Sequence, residues 1–128
     1  MKRTAIFIII FFLASGVAYS RELEVKKKAG EYDVEIKMDK NPPILGDNHI
    51  AIEIKKGGKS ITDVKVLVNY YMPPMPRMAP MNYKTDARLK KEKYRATMNF
   101  IMAGPWYISI IINHAGQVSK TKINVDAQ

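Results

Sequence analysis

The segment from Met72 to Met81 places four methionines, Met72, Met75, Met78 and Met81, at an unbroken spacing of three residues. Four of the six residues between them are proline. Proline fixes φ near −65° and removes a backbone donor, so the segment is predicted to adopt polyproline II backbone, with three residues per turn. The thioethers then lie along one edge. Such an edge offers soft ligands to a soft metal ion such as Cu(I), or an adaptable apolar contact surface.

The geometry of a straight segment limits the metal hypothesis. In polyproline II, residues three apart are separated by about 9 Å along the axis, so one ion reaches at most two of the thioethers. A site for one Cu(I) ion therefore requires a bend in the segment or a further ligand, for which Met102, His49 and His114 are the candidates. Arg77 places a fixed positive charge within the segment, which favours the alternative of a docking surface.

The rest of the chain lacks the patterns of a catalyst. It has no cysteine, no Gly-x-Ser-x-Gly or His-Glu-x-x-His motif and no phosphate-binding glycine loop. Its two histidines do not match a zinc spacing. The formal net charge is +9, but aromatic residues are not interleaved with the lysine clusters. We therefore expect a protein that is not an enzyme and does not bind nucleic acid.

The first twenty residues have the pattern of a secretory signal peptide. Lys2 and Arg3 precede the uncharged apolar run Ala5–Ala14, and Ala18 and Ser20 supply small residues for a cleavage site. An uncleaved membrane anchor is the alternative, and in either form the segment is expected to be an N-terminal helix. Residues 1–20 are thus predicted to direct export, to the periplasm or another extracytoplasmic site, with or without anchoring to the membrane.

Residues 21–128 show strict alternation of apolar and polar side chains, which is the pattern of half-buried strands. Turn signals such as Gly57-Gly58 and Gly104-Pro105 separate the runs, and none has a helical period. The pattern predicts a single all-β domain, an immunoglobulin-like antiparallel β-sandwich of seven to eight strands. The alternating positions that indicate strands most clearly are Tyr32, Val34, Ile36 and Met38; Ile50, Ile52 and Ile54; Val64, Val66, Val68 and Tyr70; Tyr94, Ala96, Met98, Phe100 and Met102; and Trp106, Ile108, Ile110 and Ile112.

A second motif, Met102-x-Gly104-Pro105-Trp106, separates two of these strands. Gly104 permits a backbone conformation with positive φ, and Pro105 restricts the residue that follows. Trp106 then enters the core as its largest anchor. The motif is therefore expected to have a structural role.

Taken in order, these features resemble the YtkA-like domain family and the related FixH-like proteins, over roughly residues 41–125. The resemblance rests on the Met-Pro-x-Met loop paired with the Met-x-Gly-x-Trp turn. It implies a small secreted or membrane-anchored β-sandwich whose relatives occur near cation and copper transport systems. It also singles out Met72, Met75, Met78, Met102 and Trp106. If the methionine segment is instead a docking surface, its expected partner is a membrane protein such as a transporter or an efflux component.

Overall fold

Residues 23–128, the part of the chain that the computed structural model describes, form nine strands, and every paired neighbour is antiparallel. Apolar residues alternate along most of them, and in these strands one face is buried. The strands are β1 (Leu23–Ala29), β2 (Tyr32–Met38), β3 (Gly46–Lys56), β4 (Lys59–Ser60), β5 (Lys65–Tyr71), β6 (Asn82–Lys90), β7 (Lys93–Phe100), β8 (Gly104–His114) and β9 (Gln117–Ala127).

The prediction of an all-β antiparallel fold is confirmed. The strand count of seven to eight is corrected to nine, because the two-residue β4 pairs with the end of β3 across the Gly57-Gly58 turn. Within residues 23–128 there is no helix, and so none that could span a membrane. The helix predicted in residues 1–20 lies outside the described residues.

The sheet is continuous, in the order β1-β2-β3-β7-β6-β5-β8-β9. β6 joins its two halves, since Asn82–Ala87 pairs with β5 and Arg88–Lys90 pairs with β7. The expected two-layer sandwich is therefore modified into a barrel-like sheet whose layers share a strand. We call β2, β3 and β7 the first layer and β5, β8 and β9 the second layer.

The two ends of this path approach each other, so the barrel is nearly closed. Gly30, in the turn between β1 and β2, lies against Ser119 of β9: a Cβ on Gly30 would fall 2.9 Å from Ser119 Oγ. Gly30 also has φ +61°, a conformation that residues with a side chain rarely adopt. A side chain at position 30 would strain this turn and would displace the Ser119 hydroxyl on β9.

The interior is filled by aliphatic and aromatic side chains from both layers. Trp106 and Phe100 are its largest fully buried members, and their ring centroids are 5.0 Å apart. Tyr70 and Tyr83 extend this aromatic cluster toward one end of the barrel, with centroids 6.1 and 6.3 Å from that of Trp106. Met38 and Met98, predicted as core residues, are 1% and 0% exposed.

Two buried polar side chains fix the segments that enter the strands. Asn48 is completely buried; its amide donates to Ile44 O at 2.7 Å and accepts from Ile44 N at 3.0 Å. The hydroxyl of Tyr94 donates to Val64 O at 3.0 Å and accepts from Val64 N at 3.3 Å. Each side chain therefore satisfies backbone groups of a residue that lies just outside a strand.

Candidate metal site

The connection between β5 and β6, residues 72–81, contains the four evenly spaced methionines; we call it the methionine loop. It is a hairpin rather than a straight segment. Met72 N donates to Met81 O at 3.1 Å, which extends the pairing of β5 and β6 by one step. Met78 N donates to Met75 O at 3.3 Å, which closes a turn at the tip.

The turn at the tip explains why the straight polyproline II segment expected from the prolines does not form. Pro76 occupies its second position, and Arg77 occupies its third with φ +64°. Proline followed by a residue with positive φ is the pattern of a type II turn. The positive charge of Arg77 thus lies at the exposed apex of the hairpin.

Reversal of the chain brings the four methionines to one place. Together with Pro73, Pro74, Ala79 and Pro80, they line a small cavity of about 10 Å³. A volume of this size is near the minimum that holds one water molecule, and so suits one small ion. We call it the methionine cavity.

The methionines form a gradient from the core to the solvent. Met72 is 6% exposed and belongs to the hydrophobic core, Met75 and Met81 are partly buried against that core, and Met78 is 37% exposed. A ligand that arrives from solvent would meet Met78 first and Met72 last.

The second motif meets the methionine loop at Gly104. A Cβ on Gly104 would lie 3.1 Å from the terminal methyl carbon of Met72, and Gly104 has φ +126°. Glycine therefore suits this position in two ways, since a side chain here would strain the backbone and would crowd the end of the Met72 side chain. The two halves of the sequence resemblance are in direct contact.

The buried side chain of Trp106 is hydrogen-bonded to the turn that precedes Gly104. It is 1% exposed, and its Nε1–H donates to Met102 O at 2.9 Å, which ties the tryptophan to the turn before Gly104. Met102 is partly buried against the core but does not line the methionine cavity. Pro105 lies in the first ladder positions of β8, opposite Asp126.

The structure places both histidines outside the methionine cavity. His49 lies on the outer face of β3, where its Nδ1 is 3.1 Å from Thr97 Oγ1. His114 ends β8 at the opposite end of the barrel, with Nε2 3.6 Å from Asp63 Oδ2. The further ligands considered from the sequence are thus not brought to the methionines.

Within residues 23–128, no group of three or more histidine and carboxylate side chains is positioned to hold a metal ion. Zinc, calcium and magnesium sites depend on such groups or on cysteine. The donors that the described residues do gather are neutral thioethers, which select Cu(I) among biological metals.

An apolar rim that the sequence did not predict lies at the same end of the barrel as the methionine loop. Ile44 and Leu45 precede β3, and Ile101 follows β7, at the end of the barrel where Gly46 pairs with Phe100. They are 40%, 48% and 57% exposed. The sequence did contain one indication of this rim, because Ile101 is apolar at a position where the alternation of β7 predicts a polar, outward-facing residue.

Comparison with known proteins identifies the family. The YtkA-like family model matches residues 20–111, and the chain belongs to this family. The match begins earlier than the region of resemblance read from the sequence and ends before β9 is reached.

A similar fold is found in the crystal structure of the PmoD soluble domain from Methylocystis sp. ATCC 49242 (Rockwell). The TM-score is 0.58 at 12% sequence identity, and the alignment covers 81% of this chain and 97% of that chain. At this identity the likeness concerns the fold alone. No curated protein matches the chain significantly.

Proposed function

We propose that this protein is an extracytoplasmic, non-enzymatic YtkA-like module that binds Cu(I) through Met72, Met75, Met78 and Met81. The observation that supports this most directly is the folding of the methionine loop into a hairpin around one small cavity. The bend removes the geometric objection to a site for one ion, since the thioethers no longer lie along a straight edge.

The chemistry of the cavity fits a monovalent soft ion. Its lining consists of methionine, proline and alanine, so no carboxylate or imidazole competes for the ion. Neutral thioethers do not neutralise a second positive charge, which disfavours divalent ions in an apolar setting. Met78 provides entry, and Met72 provides the ligand that is anchored in the core.

The fold and the location belong to the same proposal. Counting β2, β3, β7 and β6 as one sheet and β5, β8 and β9 as the other gives the immunoglobulin-like arrangement, with β1 and β4 as additions. The signal-peptide pattern of residues 1–20 supports export, with cleavage or anchoring as the two forms.

The test is an anaerobic titration of the protein with Cu(I) against a chelator of known affinity. The triple variant Met72→Leu, Met75→Leu and Met78→Leu keeps the apolar volume and is expected to stay folded. The control is Met38→Leu with Met98→Leu, which changes two buried methionines that do not line the methionine cavity. We expect binding that is lost in the triple variant and kept in the control; retained affinity in the triple variant would refute the site.

A second function is favoured by the apolar rim. Ile44, Leu45 and Ile101 lie at the same end of the barrel as the methionine loop, and exposed apolar residues that gather in a patch mark contact surfaces. We propose that this end docks on a membrane partner, such as a transporter or an efflux component, so that the methionine cavity faces it.

Site-specific photo-crosslinking tests the docking proposal. A photoreactive residue at position 101 is expected to form a discrete adduct with a membrane transport protein in cells. Val118 is a matched control, since it is 52% exposed and lies in the β8–β9 turn region at the opposite end. Adducts of equal yield at both positions would refute a specific docking surface.

A further inference from the structure

A groove of about 600 Å³ lies on the outer face of the first layer and β6, away from the methionine cavity. Its floor includes Ala51 of β3, whose small side chain leaves a depression between the longer side chains of the neighbouring strands. The walls carry five basic side chains, Lys37, Arg88, Lys90, Lys93 and Arg95.

The strand register concentrates these charges. Arg88 of β6 lies directly opposite Arg95 of β7, and Lys90 lies opposite Lys93. Arg95 in turn pairs with Ala51, which pairs with Lys37 of β2, so one row across four strands carries three cations around the alanine. Like charges directly opposite one another destabilise a sheet. Both like-charge pairs therefore lower the stability of the sheet.

One carboxylate, that of Asp39, lies in the lining of the groove beside His49, and that of Glu53 lies nearby; both have partners other than the five cations. Asp39 Oδ1 accepts a hydrogen bond from His49 N at 2.9 Å. Glu53 Oε2 accepts from Ser60 Oγ at 3.0 Å, and its Oε1 is 3.8 Å from Lys55 Nζ. Among the described residues, no carboxylate lies within ion-pair distance of any of the five cations of the groove.

We propose that this groove binds a phosphate group. Two guanidinium groups on adjacent strands offer forked donors that match phosphate oxygens, and the flanking lysines add charge. The phosphate has two possible sources, an anionic phospholipid headgroup or a free phosphorylated solute. The groove thus gives the protein a second binding surface, which is independent of Cu(I).

The experiment compares the full chain with the double variant Arg88→Gln and Arg95→Gln. The matched control is Lys65→Gln with Lys120→Gln, which removes the same charge from exposed positions of β5 and β9. The first probe is inorganic phosphate, titrated in detergent micelles. The second is binding to vesicles of phosphatidylcholine alone or with phosphatidylglycerol in equal parts. Residues 1–22 are unchanged in every variant, so their own affinity for lipid cancels in the comparison.

We expect wild type and control to prefer one probe, either the phosphatidylglycerol vesicles or free phosphate, and this preference identifies the source. Removal of two basic residues should weaken binding to an anionic surface by about thirty-fold. Thermal denaturation should show that the double variant is at least as stable as wild type, because the like-charge pair is gone. Equal binding by the double variant and the control, or no binding of either probe by wild type, would overturn the proposal.

Discussion

Replacement of Gly104 by alanine tests whether the contact between the two motifs positions the methionine cavity. Gly104 has φ +126°, and the new Cβ would lie 3.1 Å from the terminal methyl carbon of Met72. Backbone strain at such a φ costs about 1–3 kcal/mol. Displacement of a buried side chain by an added methyl group costs about 1–3 kcal/mol more. We therefore expect Gly104→Ala to lose about 2–6 kcal/mol of unfolding free energy.

Gly46→Ala is a control that separates these two costs. Gly46 lies at the same end of the barrel with φ +94°, but nothing is within 4 Å of the position of its Cβ. This variant is expected to lose only the strain component, about 1–3 kcal/mol. In a domain of this size, 1 kcal/mol corresponds to about 4 °C in Tm, so Gly104→Ala should melt roughly 8 °C below Gly46→Ala.

The functional readout of the same pair is Cu(I) affinity. Residues that hold a metal ligand in place typically contribute a factor of about 10–100 to affinity. We expect Gly104→Ala to bind Cu(I) about tenfold more weakly than wild type, because the Met72 side chain is displaced. Gly46→Ala should keep wild-type affinity. Indistinguishable stability and affinity in the two variants would refute the role assigned to the contact.

Three further predictions concern the scaffold. Tyr94→Phe leaves the backbone of Val64 unsatisfied and should lower the unfolding free energy by about 1–3 kcal/mol in denaturant titrations. Burial raises the pKa of Tyr94 in the folded protein, so wild-type stability should fall above about pH 10, where the tyrosine of the unfolded chain ionises first. The variant should lack this contribution to the pH dependence. Asn48→Ala, which removes both bonds to Ile44, should cost about 1–3 kcal/mol; an unchanged denaturation midpoint would contradict its bridging role. Arg95→Gln should raise stability by about 0.2–1 kcal/mol, measured at low salt; destabilisation would show that the opposed arginines do not repel.

The long strands could be predicted from the sequence because a half-buried strand has a side-chain period of two. β4 could not, because two residues carry no period. The continuity of the sheet through β6 was also out of reach, since nothing in Asn82–Lys90 shows that its halves pair with different neighbours. Expected boundaries shifted slightly as well: the ladder of β7 ends at Phe100 rather than Met102, and β8 begins at Gly104 rather than Trp106.

The candidate sites, too, could be predicted from the sequence only in part. The spacing of the methionines indicated their chemistry, but the prolines predicted a straight segment. The bend depends on the positive φ of Arg77 and on the hydrogen bond between Met72 and Met81, which only the paired strands bring into register. The basic groove likewise collects residues from β2, β6 and β7, so it is visible only once the register is known.

The most direct test of the central claim is a Cu(I) titration of protein labelled with ¹³C at the methionine methyl groups, followed by NMR. We predict that the signals of Met72, Met75, Met78 and Met81 shift together and stop shifting at one equivalent. The signals of Met38 and Met98, which are buried in the core and do not line the methionine cavity, should not move. Absence of shifts in the four loop signals at one equivalent would contradict the assignment of this loop as a copper site.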